Sequence, residues 1–278
     1  MKRYVALGSS MAAGPGIGPR AAGAPRWSGR SARNYPHLVA ERLNLDPDRN
    51  FIDVTFSGAT TAHVLVDQQR GAPAQITALD GSETLVTVTI GGNDVGYVPL
   101  LMGAALLGQI ARLLPGPLSG PHRRRAKAVR RLPLLGSRIS ELLDRGTRDR
   151  ALADVFDSLC AVGSALRQRS PAARILFVDY LTMLPPAGSP APPLSEADAE
   201  VGRHVAETLE RLTADAAMAT GCEVVRVGVA SRDHHAWSAE PWTTTPARYG
   251  VPLPGRPAPL HPNAAGMGAV AELVLDQL

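Results

Sequence analysis

Short runs of apolar residues without a polar break limit the folds open to this chain more than any other feature. They fall at residues 3–7, 51–55, 84–90, 174–179 and 223–227. Stretches such as "YVAL" and "ILFV" show no in–out alternation, which suits strands buried on both faces of a parallel sheet. Between them lie amphipathic segments that read as helices at 35–43, 148–169 and 195–219. The last opens on Ser195-Glu196-Ala197-Asp198, a capping signature, and closes near Gly221. A final helix is expected over 263–277, just after His261-Pro262. Strands alternating with helices predict a three-layer α/β/α fold around a central, mostly parallel five-stranded sheet.

A chain of 278 residues with this pattern is expected to form one domain, 1–278. Its apolar content of 45% and charged content of 19% argue against disorder throughout. Two regions break the regularity. Residues 98–118 are almost wholly apolar with Gly and Pro interruptions, and "HRRRAKAVRR" at 122–131 follows with six positive residues. Together, 98–131 read as an insertion. Either it flanks a binding site as an apolar wall or lid that also touches an anionic membrane surface, or it packs on the sheet with solvated arginines. Residues 228–260 form a second long segment with little periodicity, of the kind that carries function when it lies inside a compact domain.

The formal net charge of +4 is small for the length, so nucleic acid is not an expected partner. Cys160 and Cys222 lack metal-ligand spacing and read as small buried apolar residues, with a disulfide between them left open. No apolar run at the amino terminus is long enough for a signal-peptide core. A cytoplasmic location is therefore expected, or a secreted one if a leader has been removed.

In a parallel α/β sheet, ligands bind beyond the carboxyl ends of the strands. There the sequence places Gly8-Ser9-Ser10-Met11, then Ser57-Gly58-Ala59-Thr60, then Gly91-Gly92-Asn93-Asp94, and "PLHPNAAG" sets His261 before the last helix. This order and spacing resembles the SGNH/GDSL hydrolase family, over nearly the whole chain. The resemblance implies a flavodoxin-like fold and a carboxyl-ester hydrolase that needs no metal or organic cofactor and takes a small-molecule or lipid ester. Carried over block by block, it implies Ser10 as nucleophile, Gly58 and Asn93 as oxyanion-hole residues and His261 as base. The residue types suit these roles. A serine hydroxyl attacks once an imidazole takes its proton, and N–H donors stabilise the oxyanion that follows.

The chain departs from the family pattern twice. Ser9 stands where the family has an aspartate before the nucleophile, and Ala258 stands where it has the acid that orients the histidine. A backbone carbonyl at or near Ala258 is the favoured substitute, with Asp233 and Glu240 of the long loop as alternatives. His234 and His235 are the competing bases, though neither precedes a helix start.

Other readings remain beside this one. An acyltransferase would use the same residues, and a silent lipid- or carbohydrate-binding module would keep the fold alone. The G-x-S-x-G elbow of α/β-hydrolases needs several strands upstream of the serine, and residue 10 leaves room for one. The glycines at 14, 16 and 18 do not match a dinucleotide-binding fingerprint.

Overall fold

The structure is a computed structural model that describes residues 3–47, 49–113, 141–246 and 256–278. Five strands, β1 (Tyr4–Gly8), β2 (Phe51–Asp53), β3 (Leu85–Thr89), β4 (Arg174–Val178) and β5 (Glu223–Val225), form one sheet in the order β2-β1-β3-β4-β5. Every pairing is parallel, with Tyr4 opposite both Phe51 and Leu85, so the carboxyl ends of β1, β2 and β3 line up at one edge.

The described helices are α1 (Ser10–Ala13), α2 (Tyr35–Arg42), α3 (Thr61–Leu65), α4 (Tyr97–Leu113), α5 (Arg145–Arg169), α6 (Glu196–Ala219), α7 (Val227–Ala230) and α8 (Ala264–Leu275). The period-two geometry of a strand divides the core. Val5 and Leu7 of β1 join Val86, Val88, Ile175 and Phe177 in a layer with Leu100 of α4, Leu159 of α5 and Val205 of α6. Tyr4 and Ala6 point the other way, to Tyr35 and Val39 of α2 and Met267 and Val270 of α8. Continuous apolar strands are what two covered faces require.

The element boundaries have local causes. β2 stops at Asp53 because its carboxylate turns back to accept from the Thr55 N–H at 2.8 Å and hydroxyl at 2.6 Å. α6 starts where predicted, with the Ser195 hydroxyl accepting from the Asp198 N–H. α5 begins three residues earlier than the sequence suggested, at an Asp144 side chain that accepts from the Thr147 N–H.

The described part of the apolar 98–118 stretch is helix. Leu100, Leu101, Ala104, Ala105 and Leu107 are buried, and Gly202 of α6 lets Leu101 approach. Packing consumes the buried side of this apolar pattern, while Val98, Met102, Leu106 and Ile110 stay half-buried. The basic run at 122–131 lies outside the described residues, as do 247–255 of the long segment. No helix among the described residues is long and apolar enough to cross a membrane. Cys160 and Cys222 are both free thiols.

Candidate active site

Ser10 sits where β1 becomes α1. The Ser9 N–H extends the ladder past Gly8 by donating to the Thr89 carbonyl at 2.9 Å, and the chain then turns at once. This leaves the Ser10 side chain at the carboxyl edge of the sheet. Its hydroxyl lies 2.8 Å from Nε2 of His261, a residue 251 positions away in the chain. The other ring nitrogen of His261, Nδ1, is 2.7 Å from the Pro259 carbonyl oxygen. A carbonyl can only accept, so Nδ1 carries the proton and Nε2 turns its lone pair toward Ser10. Burial pushes the imidazole pKa below the ordinary histidine value, and the Pro259 carbonyl works against that shift.

The turn after β2 brings Gly58 to the same place. Gly58 has φ of 81°, the left-handed region that a side chain disfavours. The residue before it is fastened twice: the Ser57 N–H donates to the Ser28 carbonyl at 2.8 Å, and the Gln69 amide donates to the Ser57 carbonyl at 2.9 Å. The turn after β3 supplies Asn93. One N–H of its amide donates to the Ala59 carbonyl at 2.7 Å, which orients the group and leaves a second N–H. Asp94 fastens that turn to α3 by accepting from the Thr61 N–H and hydroxyl. Ser10, Gly58, Asn93 and His261 line one cavity of about 330 Å³, walled by Pro15, Val98, Pro99 and Ala258. Among the described residues, the N–H groups of Ser10 and Gly58 donate to no protein acceptor.

The competing residues lie elsewhere. His234 stacks on Trp242 with ring centroids 4.0 Å apart, and its Nδ1 is 2.8 Å from the Glu240 carbonyl oxygen. His235 accepts from the Trp237 N–H. Asp233 lines a different cavity, of about 340 Å³, between α6 and the chain after β4. No group of three or more His, Cys, Asp or Glu among the described residues is arranged to hold a metal ion.

One contributor had no sequence signal. Thr244 is the hub of the histidine turn: its hydroxyl donates to the Ala258 carbonyl at 2.6 Å, its N–H to the His261 carbonyl at 3.0 Å, and its carbonyl accepts from the Leu260 N–H at 3.1 Å. It lies in "WTTTP", where neither period nor motif sets one threonine apart.

A hydrogen-bonded serine and histidine at the carboxyl edge of a parallel sheet is an arrangement that can support hydrolysis. The chain belongs to the GDSL-like Lipase/Acylhydrolase family, whose model matches residues 6–269. It is 30% identical over 99% of its length to Lipase 2 of Streptomyces coelicolor, covering 85% of that protein. With a lipase of Streptomyces rimosus it shares 28% identity over 95% of its length and 81% of that protein. Among solved structures, phospholipase A1 of Streptomyces albidoflavus superposes with a TM-score of 0.71 at 22% identity, over 100% of this chain and 99% of that one. The extracellular lipase of Streptomyces rimosus does so with 0.70 at 25% identity, over the same shares of the two chains. The protein is a carboxylic ester hydrolase of this family.

Proposed function

We propose that the protein cleaves carboxylic esters through an acyl-enzyme on Ser10, with His261 as the base. The observation that carries this reading is the chain of contacts from Ser10 Oγ to His261 Nε2 and from Nδ1 to the Pro259 carbonyl. The neutral imidazole takes the hydroxyl proton as Oγ attacks the ester carbonyl carbon. Negative charge then builds on the former carbonyl oxygen. The Ser10 and Gly58 N–H groups and the free N–H of Asn93 are the donors suited to receive it. His261 returns its proton to the departing alkoxide, and a water molecule activated by the same imidazole releases the acid.

This is a dyad, not a triad. The Pro259 carbonyl fixes the tautomer and the ring orientation, yet it adds only a dipole, where a carboxylate would add a full charge to stabilise the imidazolium. Modest turnover is the expected consequence. The Pro15, Val98, Pro99 and Ala258 walls favour an apolar acyl group, in keeping with a lipid ester as substrate.

An acyl-chain-length series of chromogenic esters, run on the parent and on Ser10→Ala, tests the reading together with fluorophosphonate labelling. Ser10→Ala is expected to lose hydrolysis by on the order of 10,000-fold or more, and to lose labelling, with its melting temperature retained. Retained hydrolysis in that variant would overturn the mechanism. A parent that hydrolyses esters yet takes no label on Ser10 would likewise move the nucleophile to another residue.

A further inference from the structure

Tyr180 lies just past the end of β4, and its hydroxyl meets two segments that carry proposed catalytic groups. It accepts from the N–H of Gly92, the residue before Asn93, at 2.9 Å. It also lies 3.4 Å from the hydroxyl of Ser9, the residue before Ser10. Burial pushes the Tyr180 pKa up to about 12, so the phenol keeps its proton and, besides accepting from Gly92, can pair with the Ser9 hydroxyl with either oxygen as donor.

Gly92 is shaped to this contact. A Cβ there would stand 2.7 to 2.8 Å from Cε1, Cζ and the hydroxyl oxygen of Tyr180, closer than any side chain permits. The β1–β3 ladder ends at the bond from Ser9 N–H to the Thr89 carbonyl. Beyond it, among the described hydrogen bonds, none joins residues 9–11 directly to residues 91–94. The phenol is the link between the two turns, reaching from β4 across the end of β3.

We propose that Tyr180 is a positioning residue for ester cleavage, its hydroxyl holding the Ser10 turn and the Asn93 turn at the separation that the attacking oxygen and the oxyanion donor require. This rests on the roles of Ser10 and Asn93 given above. Ser9, which stands where the family has an aspartate, belongs to the same device: a neutral hydroxyl can pair with the phenol without bringing a charge beneath the nucleophile. Small displacements of reacting groups are costly, about a hundredfold in rate for 1 Å.

The test is a double-mutant cycle on kcat and KM, with turnover expressed per site titrated by fluorophosphonate so that partly folded protein does not count. Tyr180→Phe keeps the ring and removes the hydroxyl. It is expected to lower kcat roughly tenfold or more with KM within about twofold. In an Asn93→Ala background, where the positioned donor is already gone, the same substitution should cost less than about threefold. Gly92→Ala, which displaces the ring from the other side, should show the same dependence on background and serves if Tyr180→Phe does not fold. Equal losses in both backgrounds, or a kcat for Tyr180→Phe within about twofold of the parent, would overturn the proposal. Ser10→Ala run alongside separates the two ideas. If it stays active the nucleophile is misassigned, whereas an inactive Ser10→Ala beside an unimpaired Tyr180→Phe removes Tyr180 alone.

Discussion

The two halves of the Ser10–His261 pair are held in different ways. Ser10, Gly58 and Asn93 hang from the ends of three adjacent strands whose side chains fill both core layers, and the register of the ladder fixes their spacing. His261 hangs from a turn. Leu260, just before it, is buried in a left-handed conformation with φ of 57°, which costs on the order of 1 to 3 kcal/mol for a non-glycine residue. The bonds to Thr244 and the Ala258 N–H donating to the Pro15 carbonyl at 2.9 Å keep that turn in place. Ser10 and the proposed oxyanion donors therefore inherit their geometry from the whole core. The proposed base owes its geometry to the Thr244 hydroxyl and a few main-chain contacts, and these should be the easier to disturb.

The sheet-borne half should show the larger losses, and should show them in chemistry and not in binding. Asn93→Ala is expected to lower kcat about 100- to 1000-fold with little change in KM, since its free N–H is used as charge develops. A change confined to KM would make Asn93 a binding residue. On the turn-borne half, Thr244→Val removes the hydroxyl bond to the Ala258 carbonyl and keeps the side-chain shape. The expected loss is roughly tenfold to a hundredfold in kcat with the global melting temperature nearly unchanged. If Thr244→Val left kcat alone, the turn would be as well determined as the sheet and the contrast would fail.

The same contrast governs what the sequence reveals. The five strands were legible because burial on both faces leaves an unbroken apolar run, and the meeting of Ser10, Gly58 and Asn93 in one cavity because each closely follows such a run. His261 could be read from its neighbours, Pro262 and the final helix. What holds it could not. The Pro259 carbonyl is main chain, and every residue has one, so no residue type could mark it. The expectation of a carbonyl near Ala258 came from the missing acid, and the structure puts it one residue further on. Helix α4 was hidden because the stripe it leaves half-buried, Val98, Met102, Leu106 and Ile110, is as apolar as its buried side, which removes the amphipathic period that marks a surface helix.

The acid limb of kcat/KM sharpens the comparison without a large change in rate. The base must be neutral, and burial lowers the His261 pKa, so activity should persist below the ordinary histidine value of 6.5 and fall only at lower pH. A limb centred at or above 6.5 would mean that a negative charge faces the imidazole. Ala258→Asp, which installs the family's acid on the cavity wall, should move the limb upward, because a carboxylate favours the protonated ring.

The smallest expected effects belong to the carboxylates of the long segment. Asp233 lies in a single turn over Arg232–His234 and lines the cavity beside α6, not the one that holds Ser10. Glu240 contributes its main-chain carbonyl to His234, and that bond does not depend on the carboxylate. The one described partner of His261 Nδ1 is the Pro259 carbonyl. Asp233→Asn and Glu240→Gln should therefore each leave kcat within about tenfold of the parent, whereas loss of the carboxylate from a true triad costs on the order of 10,000-fold. Steady-state kinetics of the two folded variants decide the matter. A collapse of kcat in either one would show that the segment moves a carboxylate onto His261 during turnover, and would make the base as firmly held as the nucleophile.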